Sequence, residues 1–146
     1  MADLKFRIKA ESENATKTVV KARNFEIIVD EPAELGGKDE GANPVEYLLA
    51  AFAGCLNVMA HVVAKEMDFE LRGVKINLAG ELNPARLFGQ SNEDRAGYKG
   101  IEVKIVADCD ADDETLNKWL EAIEDRCPVS DNIKNITPVE ISVKKK

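Results

Sequence analysis

The sequence predicts an α+β fold, in which strands come before, between and after two helices without strict alternation. Several short segments of the 146-residue chain alternate apolar and polar residues, which is the period of half-buried strands. Two longer segments, 44–67 and 112–126, have the length and apolar content of helices. A chain of this length can bury a core without disulfides, so we expect a single domain over residues 1–146.

The remaining elements follow from local patterns along the chain. Strands are predicted at 4–10, 16–22, 25–30, 74–80, 98–107 and 139–143. Residues Arg23-Asn24 form a tight turn between two of these strands, and 30–43 is a polar loop that contains glycine. Segment 83–97 is too long for a simple hairpin turn. The second helix places Leu116, Trp119, Leu120 and Ile123 on one face.

The helix that begins at Pro44 has a clear start signal. Asn43 is a favourable N-cap, proline suits the first helical position, and Glu46 stands three residues after the cap. This arrangement predicts a capping box, in which the Glu46 carboxylate accepts a hydrogen bond from the Asn43 amide.

The same helix is apolar nearly all round. The only other polar side chains between positions 45 and 64 are Tyr47, Asn57 and His61. Such a helix is buried or spans a membrane, and the polar interruptions, the charged flanks and the acidic remainder of the chain favour burial. His61 is then expected to be a satisfied core residue. Ala50 and Gly54 would allow a second helix to approach closely, so dimerisation through this helix is plausible.

Composition excludes several classes of function. The net charge is −7, and the only basic cluster is the C-terminal Lys144-Lys145-Lys146, which argues against nucleic-acid binding. Three cysteines and a charged N-terminal segment indicate a reducing, cytoplasmic setting, and no membrane partner is expected. No CxxC pair suggests zinc, and the acidic run from Asp108 lacks the glycine and glutamate of a calcium loop. We therefore expect neither a metal nor a bound cofactor.

Two cysteines lie in contrasting contexts. Cys55 lies in the apolar run 48–56, whereas Cys127 ends the second helix and precedes Pro128. A thiol reacts as the thiolate, so Cys55, in the middle of a helix, needs a nearby cation. Arg23 is the best candidate by position, and the alternative is an exposed turn arginine; Arg7 and Arg72 are weaker candidates. Cys109, beside carboxylates, is expected to be structural.

Cys127 has a different source of activation. If Pro128 opens a short helix through Ile133, Cys127 is its N-cap, and the helix dipole would favour the thiolate. The alternative is a small buried residue that ends a helix. The residues alone leave both interpretations open.

The chain resembles the osmotically inducible protein C (OsmC) and organic hydroperoxide resistance family. The resemblance is carried by the run Gly41-Ala42-Asn43-Pro44-Val45-Glu46-Tyr47-Leu48-Leu49-Ala50-Ala51-Phe52-Ala53-Gly54-Cys55 and by Cys127-Pro128-Val129-Ser130. It implies an OsmC-like fold and an intertwined homodimer, with a long buried central helix between β-sheets. It implies no bound cofactor and an external dithiol reductant such as dihydrolipoamide.

The resemblance also implies roles for individual residues. Cys55 would be the peroxidatic cysteine that attacks an organic hydroperoxide, and Cys127 would resolve the sulfenic acid as a disulfide. Arg23 matches an arginine common at that place in similar sequences. Peroxidase members usually carry glutamate directly after the Asn-Pro, where this chain has Val45. Glu46 is one residue later and is explained by helix capping.

Three functions follow from these observations. The first is a thiol peroxidase acting on organic hydroperoxides, with Phe52, Leu56 and Met59 as apolar walls for the substrate. The second is a relative without peroxidase activity that binds or carries a small thiol or sulfur species. The third is a ligand-binding module with inert thiols.

Overall fold

The computed structural model describes residues 1–146 and confirms the α+β class. The elements are β1 (Lys9–Ser12), β2 (Thr18–Ala22), β3 (Phe25–Val29), α1 (Pro44–Glu66), β4 (Leu71–Glu81), β5 (Gly100–Cys109), α2 (Asp113–Arg126) and α3 (Pro128–Lys134). A single 3-10 turn, Ala33–Leu35, was not predicted. The chain divides into two compact units, Met1–Ala50 and Ala51–Lys146, so the single domain stays a prediction.

The first unit contains an antiparallel three-stranded sheet in the order β1-β2-β3. The register pairs Ala22 with Phe25, so Arg23 and Asn24 alone connect β2 to β3, as predicted. The helix α1 begins in this unit, where the Tyr47 hydroxyl donates a 2.6 Å hydrogen bond to the Ile28 carbonyl of β3. This bond ties the first turn of α1 to the sheet.

Asp30 organises the loop that leads from β3 to α1. Its buried carboxylate accepts hydrogen bonds from the amides of Glu31 (2.9 Å), Lys38 (3.2 Å) and Glu40 (3.2 Å). Burial alone would raise the pKa of Asp30, but these amides and the Thr16 side chain outweigh it, and the pKa is lowered. The backbone also packs tightly, since a Cβ on Gly37 would lie 1.8 Å from the Glu31 carbonyl oxygen.

We expect Asp30→Asn to lower the melting temperature at pH 7 by several degrees, because an amide group would face backbone donors. Since the folded pKa lies below the unfolded value of about 3.9, the carboxylate stabilises the fold above that pH. Its contribution is lost as the pH falls through the folded pKa. Thermal melts at pH 7 and pH 3 should therefore show a gap between wild type and variant that narrows in acid. The exposed Asp39→Asn is the matched control, and an equal gap at both pH values would contradict this account.

The second unit holds the hydrophobic core. Five core residues come from α1, two come from α2, and the last is Cys127, which directly follows α2. They are Phe52, Leu56, Ala60, Val63, Ala64, Trp119, Ile123 and Cys127. The antiparallel pair β4-β5 covers this core with alternate side chains, among them Val74, Ile76, Val103 and Ile105. The predicted apolar face of α2 is correct except at Leu120, which is exposed.

The helix α1 is buried on one face only within the chain. Leu48, Val58 and Val62 are exposed, and the space beside Gly54 is open. By length and composition α1 could cross a membrane, although 28% of its most apolar window is buried. The core helix of a water-soluble protein meets the same criteria, and the five core residues on α1 favour that interpretation.

The two ends of the chain differ from the prediction. A strand was expected at 4–10, but β1 begins at Lys9, and Leu4, Phe6 and Ile8 are exposed. A last strand was expected at 139–143, but residues 136–146 form no regular element, and Val139, Ile141 and Val143 are exposed. Both segments have the alternation of strands but pair with no strand of the chain.

Candidate active site

The structure brings the thiols of Cys55 and Cys127 together. Their Sγ atoms lie 2.9 Å apart, although the residues are 72 positions apart in sequence. Both are free thiols; Cys127 is fully buried and Cys55 is partly exposed. A disulfide has an S–S distance of about 2.05 Å, so a small side-chain movement is enough to close the bond. The third cysteine, Cys109, ends β5 opposite Leu71.

Cys127 is placed by the junction between two helices. Its amide donates a hydrogen bond to the Ile123 carbonyl at the end of α2. Its carbonyl accepts a hydrogen bond from the Asp131 amide in α3. Its Sγ caps α3 by accepting a 3.4 Å hydrogen bond from the Ser130 amide. The predicted short helix after Pro128 and the N-cap position of Cys127 are therefore confirmed.

Two contacts fix α2 against α1, which carries Cys55. The buried indole Nε1–H of Trp119 donates a 2.9 Å hydrogen bond to the Ala60 carbonyl. One residue before Cys127, the Arg126 guanidinium makes a two-pronged bridge to the Glu66 carboxylate, with one N–O distance of 3.0 Å. This bridge lowers the pKa of Glu66. The sulfur–sulfur distance thus depends on contacts remote from the thiols, and no pattern in the sequence predicts the Arg126–Glu66 pair.

The surroundings of Cys55 favour the protonated thiol. Burial raises its pKa, and the hydrogen bond between the Cys55 and Cys127 thiols raises it further; repulsion between two negatively charged sulfurs acts in the same direction. The Val129 amide hydrogen-bonds to the Cys55 sulfur and acts in the opposite direction, but the net pKa is raised. Of the predicted apolar walls, Phe52 and Leu56 belong to the core, and Met59 is partly exposed. A substrate must therefore reach Cys55 from its exposed side.

Arg23 occupies an unusual backbone conformation. It lies in the β2–β3 turn with φ = 57°, and its guanidinium stacks over the Phe25 ring with 4.9 Å from Cζ to the ring centroid. Glycine or asparagine is the usual residue at a positive φ, because a Cβ crowds the backbone there. A long side chain at a strained position is a common sign of a functional requirement.

Glu46 is engaged in helix capping, as predicted. Its Oε2 accepts a 2.9 Å hydrogen bond from the Asn43 amide, and its own amide donates 2.9 Å to Asn43 Oδ1. The carboxylate therefore has a structural partner. Val45 directly follows Pro44, where the resemblance described above implies a glutamate in peroxidase members.

His61 is exposed, so the expectation of a core histidine was wrong. Its Nδ1 lies 2.9 Å from the Asn57 carbonyl oxygen, one turn earlier on α1. It lines an open cavity at the end of α1 with Ala64, Lys65, Asp68, Phe69, Glu70 and Leu71. None of the three cysteines lines this cavity. No group of three or more metal-binding side chains occurs in the chain.

The sequence and the fold are both similar to those of known proteins. The family model described as OsmC-like protein matches residues 37–142. An OsmC-like protein from Mycoplasma pneumoniae shares the fold with a TM-score of 0.79 at 17% identity, covering 92% of this chain and 91% of that one. No curated protein sequence matches this chain significantly.

Two further solved structures carry functional descriptions of their own. An organic hydroperoxide resistance protein from Legionella pneumophila has a TM-score of 0.69 at 19% identity, and 92% of each chain is covered. A Vibrio cholerae protein assigned to organic hydroperoxide resistance has captopril bound in one of its active sites; its TM-score is 0.62 at 20% identity, covering 90% of this chain and 87% of that one. At identities this low, the likeness shows that the fold is shared and nothing more.

Proposed function

Because the chain belongs to the OsmC-like protein family, we propose that it is a cysteine-based thiol peroxidase that reduces organic hydroperoxides. The observation that carries the proposal is the 2.9 Å separation of the Cys55 and Cys127 sulfurs. The hydroperoxide resistance relatives support the choice of substrate class. Cys55 is the attacking thiol because it is partly exposed, whereas Cys127 is fully buried.

The proposed cycle has three steps. The Cys55 thiolate attacks the terminal oxygen of ROOH, the O–O bond breaks, and protonation gives ROH and the Cys55 sulfenic acid. The Cys127 sulfur then attacks the Cys55 sulfur, which releases water and forms the disulfide. An external dithiol such as dihydrolipoamide reduces the disulfide and restores both thiols. Steady-state reduction of an alkyl hydroperoxide with this dithiol tests the proposal, and absence of turnover would contradict it.

Arg23 is the proposed cation that favours the Cys55 thiolate. Burial and the Cys127 thiol raise the pKa of Cys55, so its thiolate needs a cation that these two contacts do not supply. The strained backbone at Arg23 supports a functional use of its side chain. In the variant Arg23→Gln, which lacks this cation, we expect the oxidation rate of Cys55 to keep increasing with pH beyond the ordinary cysteine pKa of about 8.5, because the raised pKa delays formation of the reactive thiolate. In the unmodified protein the rate should level off at a lower pH.

A second candidate function is binding or transfer of a small thiol or sulfur species. It is favoured by Val45 in place of the usual glutamate and by the raised pKa of Cys55. The captopril bound in an active site of the Vibrio cholerae protein shows that one relative accepts a ligand there. In this case the thiols would exchange with sulfur compounds faster than they react with hydroperoxides.

The substitution Val45→Glu separates the two candidates. We expect the unmodified protein to react slowly with alkyl hydroperoxides and Val45→Glu to react faster, provided that Arg23 pairs with the new carboxylate. Stopped-flow measurement of thiol oxidation gives both rates, and Val45→Gln controls for size without charge. Rapid oxidation of the unmodified protein would show that valine is tolerated. Slow oxidation of both proteins would favour the sulfur-species function or a ligand-binding module with inert thiols.

We also propose that the protein is a homodimer assembled through α1. Leu48, Val58 and Val62 leave an apolar face of this helix exposed, and the space beside Gly54 is open. A second copy would cover this face. The unpaired strand-like segments at both termini are consistent with exchange between subunits, as the family resemblance implies.

Light scattering at micromolar concentration should give the mass of a dimer. Val58→Glu places a charge on the exposed α1 face, where Val58 is 58% exposed, and should shift the protein towards monomer. Asn117→Glu on the exposed face of α2 is the control and should remain dimeric. A stable wild-type monomer would contradict the assembly.

The remaining expectations complete the proposal. The acidic chain, with net charge −7, is expected to bind small molecules and its own copy, but not nucleic acid or membrane. A reducing compartment such as the cytoplasm would return the two thiols to the reduced state before each cycle.

A further inference from the structure

We propose that Cys55 and Cys127 also form a binding site for the soft monovalent ion Cu⁺. Their sulfurs lie 2.9 Å apart, and neither is held in a disulfide. Thiolates are the protein ligands that soft metal ions prefer. Cys55 is partly exposed and offers a route of entry, whereas the buried Cys127 holds the second ligand out of solvent.

The number of donors selects the metal. Zinc in structural sites is held by four ligands, but no group of three or more His, Cys, Asp or Glu side chains gathers anywhere in the chain. Cu⁺ accepts a small set of soft ligands, which a pair of cysteines supplies. The neighbouring soft side chain is Met59, which follows Cys55 by one turn of α1 and packs against the same core. Neither zinc nor a hard cation such as Mg²⁺ finds its usual ligands here.

Two backbone amides are placed to stabilise the negative charge of the copper–thiolate complex. The reaction Cu⁺ + 2 RSH → Cu(SR)₂⁻ + 2 H⁺ forms two metal–sulfur bonds and leaves one negative charge at the site. The Val129 amide hydrogen-bonds to Cys55, and the Ser130 amide lies 3.4 Å from Cys127 Sγ, so each sulfur keeps a hydrogen-bond donor. Metal–sulfur bonds of about 2.3 Å each, as in zinc sites, would separate the sulfurs beyond 2.9 Å. The side chains must therefore rotate apart on binding.

The consequence is competition between metal and disulfide. A Cu⁺ ion between the sulfurs prevents the bond that closes the redox cycle. The metal site needs only the two reduced thiols, so it stands independently of the peroxidase proposal. Hydroperoxide turnover measured on the same preparation without copper keeps the two proposals distinguishable.

Anaerobic titration of the reduced protein with Cu⁺, in competition with the coloured chelator bathocuproine disulfonate, tests the site. We expect one ion per chain. Because two protons leave, the apparent affinity should rise by up to ~100-fold per pH unit while both thiols are protonated. Cys55→Ser and Cys127→Ser should each weaken binding by more than ~100-fold, beyond the loss typical of outer-shell changes. Cys109→Ser is the matched control and should keep the wild-type affinity.

A second measurement covers the case in which a cysteine variant does not fold. In the unmodified protein, Cu⁺ should protect Cys55 from alkylation by iodoacetamide, and equimolar Zn²⁺ should not. Wild-type affinity in Cys55→Ser or Cys127→Ser, loss of binding in Cys109→Ser, or equal protection by Zn²⁺ would overturn the proposal.

Discussion

Replacing Cys55 by serine should reduce the turnover of alkyl hydroperoxides to the uncatalysed level. The hydroxyl that replaces the thiol does not ionise near neutral pH and cannot form a disulfide with Cys127. The exchange is nearly equal in size, so the core beside residues 52–56 should remain intact. Steady-state consumption of an alkyl hydroperoxide with dihydrolipoamide measures the loss, and a thermal melt confirms the fold.

The other two cysteines provide the internal comparison. Cys127→Ser should still consume one hydroperoxide to give the Cys55 sulfenic acid, but Cys55 then lacks its resolving partner. With hydroperoxide in excess, a second equivalent should oxidise it to sulfinic acid, so that two oxygens are added to the mass in total. Cys109→Ser should turn over at the wild-type rate, since Cys109 lies at the end of β5 opposite Leu71. Substantial turnover by Cys55→Ser, or loss of turnover by Cys109→Ser, would contradict the assignment.

Replacing Trp119 by alanine should have the largest effect on stability. Its indole is almost fully buried, stacks edge-to-face on Phe69 with ring centroids 6.0 Å apart, and donates a hydrogen bond to Ala60. Removing such a side chain leaves a cavity and costs about 3–5 kcal/mol in the free energy of unfolding. Urea unfolding measures the change. The adjacent Leu120→Ala is the control, and it should cost less than about 1 kcal/mol because Leu120 is already exposed.

The substitution Trp119→Phe separates two roles of the side chain: its packing, which stabilises the core, and its hydrogen bond to Ala60, which aligns α2 with α1. Phenylalanine keeps much of the buried surface but removes the hydrogen bond to Ala60, so the loss of stability should be smaller than with alanine. Because this bond helps to fix α2 against α1, disulfide formation after peroxide addition should also slow. A large stability loss in Leu120→Ala, or none in Trp119→Ala, would show that the core is organised differently.

Local signals in the sequence predicted the elements well. The capping box at Asn43 and Glu46, the turn at Arg23 and the short helix after Cys127 each depend on residues within a few positions. The predicted terminal strands were wrong because alternation alone does not provide a pairing partner, and neither segment pairs with a strand of the chain. The prediction of a buried His61 was wrong because the apolar composition of α1 does not require burial on every side, and His61 lies on the exposed side of the helix.

The site was only partly predictable. The pairing of Cys55 with Cys127 followed from family resemblance, since no local pattern joins residues 72 positions apart. The Arg126–Glu66 bridge and the Val129 amide at Cys55 depend on how α2 and α3 pack, which a single sequence does not specify. The departure at Val45 was visible, but its effect on the rate depends on charges around the thiol.

The most direct test of the redox pair is to trap it after a single oxidation. The reduced protein is mixed with one equivalent of alkyl hydroperoxide, quenched with acid and alkylated, and its peptides are mapped by mass spectrometry. The account predicts one intramolecular Cys55–Cys127 disulfide per chain, with Cys109 alkylated. A Cys55–Cys109 crosslink as the main product, or both thiols of the pair remaining free, would contradict it.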